Sequence, residues 1–525
     1  MMTGDHVKAS RSSHHDEEPL SPAARFFQAP RFNVYIIAIV GCKTRINTDV
    51  VKAGLEQTLV KHPRFSSKMV VDGNKYCKNK KWTQTKVNLE DHIIVPELDP
   101  NIDFPDRFVE DYVSNVTRTP LDLSKPLWEL HLLNIKTSDA EAVGVFRIHH
   151  SMGDGASLIS LLLACTRKTS DPEALPSVPV KKRAGSTFNS RDGFWWFFLA
   201  IWMLLRLIWN TMVDVLLFVA TTLFLKDMKT PIKGAPGVEL NVKKFVHQTV
   251  SLEDIKLVKN AMNMTVNDVV TGITQAGLSR YLNRRYIHSS CTGEEKKLDG
   301  RVKQSNSNIP KGIRLRTVIL VNLRKSAGIQ VAHAPNDPSS SLSVAETYPP
   351  EFKQDMADMM AKRLKTRWGN LIGYMFLPFT ISLQDDPLDY VRKAKATIDR
   401  KKLSLEPIFT SMCIGFAFRI FGNKVAAAII RRALSNITMA ISGVVGAQEE
   451  ISFYGHPIAY LAPFVYGPPL SLVVNYQSYV NKMTISLTVD PSVIPDPYEL
   501  CNDIEESLKL IRHAVVNKGL IKDVV

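Results

Sequence analysis

The sequence predicts an α/β protein with mixed sheets, flanking helices and one inserted hydrophobic segment. Strand-like runs and amphipathic helices alternate along most of the chain. One apolar run, residues 194–225, interrupts this alternation. The 525 residues are 45% hydrophobic and 22% charged. This composition excludes a collagen-like or fully disordered chain, and the length suggests two to four domains around a large core.

The charge balance favours anionic partners. Lys and Arg number 66 against 51 Asp and Glu, which gives a formal net charge of +15. A membrane surface, a phosphorylated cofactor or nucleic acid would each suit this charge. The sequence contains no recognised nucleic-acid-binding module, so we expect no nucleic-acid partner. The six cysteines lack zinc-site or disulfide-scaffold spacing, and no metal site is expected.

The N-terminal part of the chain divides into a tail and a first lobe. Residues 1–19 are polar without the apolar stretch of a secretory signal, which predicts a disordered tail. A first lobe is predicted over residues 20–170. Its strands are expected at residues 32–40, 128–134 and 141–150, and its helices at residues 47–61 and 158–165.

A linker and an apolar segment follow the first lobe. Residues 171–193 are rich in Pro, Ser, Lys and Arg and are predicted to form a linker. Residues 194–225 are long enough to span a bilayer, but Arg206, Asn210 and Asp214 recur every four residues, with Thr221 on a similar face. Three structures fit this pattern: a single span whose polar stripe faces protein, a helix or hairpin in the membrane interface, and a buried core helix.

A second lobe is predicted over residues 237–525. Helices are expected at 252–262, 266–281 and 497–516, with strands at 317–323 and 482–489. Two polar stretches, residues 284–312 and 334–350, are expected to be mobile loops. Basic runs at residues 78–81 and 400–402 are candidates for contact with anionic groups, or are solvated surface.

The motif richest in chemistry lies at residues 146–155, which read Phe-Arg-Ile-His-His-Ser-Met-Gly-Asp-Gly. The pattern predicts a strand that ends in two histidines, a tight turn and then an apolar helix. Neighbouring strand residues point to opposite faces, so His149 and His150 have different tasks. Gly153 and Gly155 fit a turn with unusual dihedral angles or close backbone approach.

The motif HHxxxDG resembles the active-site motif of CoA-dependent acyltransferases of the chloramphenicol-acetyltransferase type. Residues 121–128, ending in Pro-Leu-Trp, and residues 266–270, containing Asn-Asp, resemble segments of the wax ester synthase/diacylglycerol acyltransferase family. Residues 18–25 resemble the opening of its plant branch, and residues 368–373 another family segment. Residues 441–447 depart from the proline-bearing segment usual in the family.

The resemblance implies a two-lobed chloramphenicol-acetyltransferase-like fold with a central tunnel that passes His150. It implies that His150 is the general base, that His149 supports it, and that Asp154 is structural. Arg324 is the expected partner of Asp154, and Gly155 is expected in the turn. Pro126, Leu127, Trp128, Asn267 and Asp268 are the substrate-binding candidates.

The activity that the resemblance implies is transfer of a long-chain acyl group from acyl-CoA to a fatty alcohol, and also to diacylglycerol. Histidine suits this task because its ordinary pKa lies near neutrality. No bound cofactor is expected, and acyl-CoA is a substrate. The expected location is the endoplasmic reticulum membrane, with the lobes facing the cytosol, or alternatively the plasma membrane. The alternatives are a soluble or peripheral acyltransferase with another alcohol or amine acceptor, and a non-catalytic lipid-binding membrane protein.

Overall fold

The computed structural model describes residues 17–29, 31–72, 79–99, 101–177, 193–291, 308–324 and 368–520. The strands are β1 Glu17–Pro19, β2 Gln28–Ala29, β3 Phe32–Asn33, β4 Tyr35–Cys42, β5 Ser67–Asp72, β6 Asn79–Gln84, β7 Ile93–Ile94, β8 Trp128–Leu133, β9 Ala142–His149, β10 Thr166–Lys168, β11 Lys244–Ser251, β12 Leu315–Asn322, β13 Ile372–Phe379, β14 Met439–Val445, β15 Ile451–Phe453, β16 His456–Tyr466, β17 Leu472–Tyr479 and β18 Lys482–Val489. The α-helices are α1 Pro22–Phe26, α2 Thr48–Gln57, α3 Pro105–Val116, α4 Gly155–Cys165, α5 Gly193–Leu223, α6 Leu252–Ala261, α7 Val266–Cys291, α8 Leu388–Lys402, α9 Glu406–Ser435 and α10 Pro497–Asn517.

A seven-stranded mixed sheet forms the first lobe, in the order β10-β15-β16-β4-β9-β8-β7. Strand β4 is central and almost wholly buried, as its run of β-branched residues predicts. Strands β15 and β16 come from the C-terminal half of the chain and pair with β10 and β4. The boundary predicted between lobes along the sequence therefore differs from the fold, because residues after 237 complete the first sheet.

A six-stranded mixed sheet forms the second lobe, in the order β11-β18-β17-β14-β12-β13. Strand β14 is parallel to both β12 and β17, whereas β18 is antiparallel to β11 and β17. Helices α6, α7, α8 and α10 supply apolar side chains to the core of this lobe. Helix α6 begins where the sequence predicts, because the Ser251 hydroxyl accepts a hydrogen bond from the Asp254 N–H at 3.2 Å.

Two predicted boundaries differ from the structure. Glu17–Pro19, assigned from sequence to the disordered tail, pairs as β1 with β6 in a small sheet completed by β5. The first residues of the loop predicted at 284–312 are helical instead, because α7 continues to Cys291. The Arg284 side chain is anchored on this helix, since it donates two hydrogen bonds to the Asp503 carboxylate, at 2.7 and 2.6 Å. The loop predicted at residues 334–350 lies outside the described residues.

The apolar segment forms α5, and its polar stripe faces the protein. Asn210, Asp214 and Thr221 are buried, whereas Arg206 is exposed. The Asp214 carboxylate lies 3.0 Å from the Lys401 ammonium and also pairs with Arg400. For the basic run 400–402 the sequence left contact with anionic groups and solvated surface as alternatives. Neither describes Lys401, which is buried between Asp214 and Glu406.

Candidate active site

The HHxxxDG motif lies at the junction of β9 and α4, as the sequence predicts. Strand β9 ends at His149, a 3-10 turn covers His150–Met152, and α4 begins at Gly155. Asp154 caps this helix, since its carboxylate accepts a hydrogen bond from the Ser157 N–H at 3.0 Å. The turn places His150 at the contact between the two lobes, where residues 368–371 of the second lobe cover the motif.

Asn370 makes two hydrogen bonds with His150, one with its ring and one with its backbone carbonyl. Its Nδ2 donates to the His150 carbonyl at 2.9 Å, so its Oδ1 must act as the acceptor at 3.1 Å from His150 Nδ1. His150 therefore carries its proton on Nδ1. The other ring nitrogen, Nε2, is left with a lone pair, which is the form that a general base requires.

The surroundings of His150 keep its ring neutral. Phe27 stacks on the imidazole with ring centroids 4.2 Å apart, and the residue is only 4% exposed. Burial lowers the pKa of His150 below its ordinary value, while the charge of Asp154 and the hydrogen bond to Asn370 act in the opposite direction. Burial therefore favours the neutral imidazole, which is the form that can act as a base.

His149 lies on the opposite face in a closed polar network. The Ser151 N–H donates to His149 Nδ1 at 3.1 Å, and His149 Nε2 lies 2.7 Å from Asn33 Oδ1. These contacts place the proton of His149 on Nε2, where it donates to Asn33. Burial lowers its pKa to about 3. His149 is therefore a fixed neutral group without a free nitrogen, which agrees with a supporting position.

Asp154 is held by an arginine and by backbone groups. Its Oδ2 accepts hydrogen bonds from Arg324 Nη1 at 2.7 Å and from the Leu371 N–H at 3.1 Å. Arg324 also donates to the Gly369 carbonyl at 2.5 Å. The structure thus brings together the pair expected from sequence. The pair joins β12 of the second lobe to α4 of the first.

Of the two causes expected for the motif glycines, unusual dihedral angles and close approach, the structure shows only close approach. Gly153 has an extended backbone, with φ of 175°, and Gly155 is the first residue of α4. Neither adopts the left-handed conformation that favours glycine. A Cβ at Gly153 would lie 3.1 Å from the Trp368 ring, and one at Gly155 would lie 3.4 Å from Val444. Close approach of the second lobe therefore explains Gly153, whereas the distance at Gly155 is an ordinary van der Waals contact.

The proposed substrate-binding residues of the first lobe lie in its core. Pro126, Leu127 and Trp128 are buried, and the Trp128 indole donates to the Phe65 carbonyl at 3.0 Å. Trp128 also stacks on His92 with ring centroids 4.3 Å apart. Trp128 begins β8 and pairs with Ile148 of β9, and the Leu127 carbonyl accepts a hydrogen bond from the His149 N–H at 3.0 Å. The three residues therefore support the strand that ends at His149, and their contact with substrate stays a prediction.

Asn267 and Asp268 open α7 in the second lobe. Asp268 is buried and accepts hydrogen bonds from the Thr265 N–H and hydroxyl, at 2.7 and 2.8 Å. This is a helix-capping arrangement, so Asp268 shapes the start of α7. Asn267 is exposed, and its Oδ1 lies 3.8 Å from the position that a Cβ of Gly443 would occupy. Gly443 is next to Val444, which contacts the HHxxxDG turn.

Two cavities flank the motif. One, of about 570 Å³, lies between the lobes and is lined by Met152 and Trp368 together with Arg64, Arg324 and Asn370. The other, of about 140 Å³, is almost wholly apolar and runs from Gly155 and Val444 beneath α4 to Cys42. A polar cavity and an apolar cavity therefore border the motif on two sides.

Sequence reasoning missed the groups that orient the two histidines. Asn370 belongs to the segment 368–373 that resembles the family, which was the available signal, but nothing in the sequence placed it beside His150. Phe27 lies in no motif at all. Asn33 was read only as part of a strand. All three act across distances in sequence that a linear pattern does not reveal.

Comparison with known families agrees with this geometry. Residues 43–270 match the wax ester synthase/diacylglycerol acyltransferase catalytic domain, and residues 368–512 match the C-terminal domain of the same family. Wax ester synthase/diacylglycerol acyltransferase 11 of Arabidopsis thaliana is 48% identical over 98% of this chain and 99% of its own length. Number 6 of the same species is 52% identical over 95% of this chain and 94% of its own length.

Solved structures share the fold. The wax ester synthase/diacylglycerol acyltransferase of Marinobacter aquaeolei VT8 superposes with a TM-score of 0.55 at 16% identity, over 95% of this chain and 99% of its own. The first condensation domain of the calcium-dependent antibiotic synthetase gives 0.53 at 11% identity, over 96% and 97%. With the relatives that match it nearly end to end, this shows that the chain is a member of the wax ester synthase/diacylglycerol acyltransferase family and has its two-lobed, chloramphenicol-acetyltransferase-like fold.

Proposed function

We propose that this acyltransferase moves a long-chain acyl group from acyl-CoA to a fatty alcohol, with diacylglycerol as a second acceptor. The observation that carries the proposal is the orientation of His150. Its Nδ1 proton is held by Asn370, and its Nε2 lone pair remains available. The names of the relatives support the two acceptor classes.

The reaction needs one group that both removes and returns a proton. Nε2 of His150 takes the proton of the acceptor hydroxyl as its oxygen attacks the thioester carbonyl carbon. The tetrahedral intermediate then collapses, the carbon–sulfur bond breaks, and the imidazolium returns the proton to the CoA sulfur. Atoms and charge balance without a covalent enzyme intermediate. Asn370 stabilises the imidazolium because its Oδ1 accepts a hydrogen bond from Nδ1–H, and Asp154 adds a negative charge nearby.

The two cavities suit the two chemically different parts of acyl-CoA. The larger cavity between the lobes contains arginines and the Trp368 ring, which fits a polar, anionic CoA moiety. The apolar cavity under α4 fits an alkyl chain, because it offers that chain almost no polar surface. Each cavity is lined by a residue of the HHxxxDG turn, Met152 in the larger and Gly155 in the smaller, so an acyl-CoA that occupied both would pass His150.

The acceptors are lipids, and we propose that the enzyme works at the endoplasmic reticulum membrane with its lobes in the cytosol. Within the described residues, two helices are long and apolar enough to cross a membrane, Phe197–Leu223 and Glu406–Ser435. The location on the cytosolic side follows from the supply of acyl-CoA. The plasma membrane is the alternative location.

Product analysis tests this function. The wild type and His150→Ala would be expressed in a yeast strain that lacks its own neutral-lipid acyltransferases, with fatty alcohol supplied. Wax ester from the wild type alone is the expected result. Triacylglycerol without wax ester would indicate that diacylglycerol, and not a fatty alcohol, is the acceptor. Neither product, from folded membrane-bound protein, would contradict the proposal and favour a different acceptor or a lipid-binding protein.

A further inference from the structure

Helix α5 has two parts with different surroundings. From Asn210 onwards, its polar stripe is buried against α8 and the second lobe. From Phe197 to Trp209, no residue is buried. Trp202 and Trp209 are 65% and 62% exposed on this outer part. A helix that is apolar on all faces requires an apolar environment, and the folded body provides none for the outer part.

Helix α9 supplies a second apolar surface beside α5. Its 30 residues would span about 45 Å if straight. However, its two ends both contact α5. The Leu405 N–H donates to the Thr211 hydroxyl at 3.0 Å, and Arg432 Nε donates to the Thr222 carbonyl at 3.2 Å. Thr211 and Thr222 lie only about 16 Å apart along α5. The helix is therefore bent, and the bend is at Gly422, where a φ of 76° requires glycine. Residues on one face of its first half are exposed: Phe409, Met412, Phe416 and Ile420.

A basic rim borders these apolar faces at the C-terminal end of α5. Arg432 donates hydrogen bonds to the carbonyls of Thr222 and Leu223, at 3.2 and 3.1 Å. Lys226 and Lys229 follow directly and are exposed. The one acidic residue between them, Asp227, is buried in an ion pair with Arg316. An apolar face bordered by exposed cations is complementary to a bilayer with anionic headgroups.

The connections on both sides of α5 belong to one folded body. Before the helix, the Ser177 N–H donates to the Glu449 carboxylate at 3.4 Å. After it, Asp227 pairs with Arg316 of β12 at 2.6 Å. The first sheet itself contains strands from before and after α5. A helix that crossed the membrane once would put its two flanks on opposite sides, which this fold does not allow.

A second crossing would have to be made by residues 178–192. That segment contains Lys181, Lys182, Arg183, Arg191 and Asp192, and it is shorter than the roughly 20 apolar residues of a spanning helix. Each charge at mid-membrane costs about 2.5–3.5 kcal/mol on insertion scales. A return through the bilayer is therefore excluded on composition.

We propose that the enzyme is monotopic: α5 and the first half of α9 enter a single leaflet, and both lobes remain on the same side of the membrane. This rests on the membrane location in the proposed function. The outer part of α5, from Phe197 to Trp209, is about 20 Å long, whereas the hydrocarbon of one leaflet is about 15 Å thick. The helix must therefore lie tilted in the leaflet. Arg206 reaches the headgroups by extending its side chain.

Labelling of single introduced cysteines in sealed microsomes tests the topology. Glu97→Cys lies before α5 and Lys256→Cys after it, and both positions are exposed. A membrane-impermeant maleimide is expected to label both beyond the wild-type background without detergent, while a luminal marker stays protected. Labelling of one position only after permeabilisation would overturn the proposal. Protection of both would support single-leaflet attachment but contradict the cytosolic location, and wax ester assays on the same microsomes report on the proposed function separately.

Two native glycosylation sequons provide an independent readout. Asn115 lies before α5 and Asn263 after it, and both are exposed. If the lobes share the cytosolic side, endoglycosidase treatment will not change the mobility of the protein. Glycosylation at one of the two sites would place that flank in the lumen and overturn the proposal.

The membrane-binding surface of the protein is tested by introducing a charge into each of the two helices. Trp202→Glu in α5 and Phe416→Glu in α9 are each expected to move at least half of the protein from the microsomal pellet to the soluble fraction. Leu123→Glu, at an exposed apolar residue of the first lobe, is the matched control and should leave the distribution unchanged. If all three variants distribute equally between pellet and soluble fraction, the assignment of this surface is overturned. It is also overturned if the wild-type protein still sediments in a protein complex after detergent has removed the lipid.

Discussion

Asn370 should control both the rate and the pH dependence of acyl transfer, because it fixes the proton on Nδ1 of His150. Its Oδ1 lies 3.1 Å from that nitrogen, and its Nδ2 lies 2.9 Å from the His150 carbonyl. In the transition state the imidazole becomes charged, and a hydrogen bond to a charged group is worth about 1.5–3 kcal/mol. Asn370→Ala is therefore expected to lower kcat/KM about 10–150-fold.

The pH dependence separates this effect from a loss of packing. Because the hydrogen bond to Asn370 raises the pKa of His150, Asn370→Ala should move the acid limb of kcat/KM to lower pH. Asn370→Asp keeps an acceptor and adds a negative charge, so it should move the acid limb to higher pH. The assay is CoA thiol release from acyl-CoA with fatty alcohol, from pH 5 to pH 9. Wild-type kcat/KM in Asn370→Ala, or shifts of the same sign in both variants, would refute the reasoning.

Three further predictions concern stability, each measured by thermal or denaturant unfolding of purified protein. The pKa of His149 is about 3 when folded and about 6.5 when unfolded, so the unfolded state binds the proton first and stability falls as pH drops below 6.5. Between pH 7 and pH 5 this group should lower the free energy of unfolding by roughly 2 kcal/mol. In His149→Gln the free energy of unfolding should fall by correspondingly less over the same range, and an unchanged fall would contradict the assignment. Arg324→Met leaves Asp154 buried without its cation and should cost about 3–5 kcal/mol, whereas the exposed Lys136→Met should cost under about 1 kcal/mol; similar costs would contradict the burial argument. Asp214→Ala removes the carboxylate that holds α5 against Lys401 and should cost about 3 kcal/mol, and a neutral effect would show that α5 docks by other contacts.

Local elements of this fold could be predicted well from sequence because their causes are local. The strand predicted at residues 482–489 coincides with β18, since alternation and turn residues define both its ends. The helix expected from residue 252 begins at its Ser251 cap. The HHxxxDG motif was placed correctly at a strand–turn–helix junction, because apolar periodicity changes there.

The pairing of elements far apart in the chain could not be predicted from the sequence pattern. The return of β16 into the first sheet depends on pairing between residues more than 400 positions apart, and β15 pairs with β10 from a distance of more than 280 positions. The polar stripe of α5 left spanning, interfacial and core structures open, and contacts such as Asp214 with Lys401 were needed to choose among them. The Pro-Leu-Trp segment resembles a family segment, but its burial beside β9 depends on sheet pairing that the linear pattern does not give.

The most direct measurement of the central claim compares the two adjacent histidines in purified enzyme. His150→Gln and His149→Gln would be assayed for CoA release with matched acyl-CoA and fatty alcohol, with folding checked by thermal unfolding. A general base contributes about 10²–10⁴-fold, so we expect His150→Gln to lose activity by that factor and His149→Gln to lose less than about tenfold, because glutamine retains hydrogen-bonding groups for Ser151 and Asn33. A folded His150→Gln variant with near wild-type turnover would contradict the assignment of Nε2 as the base.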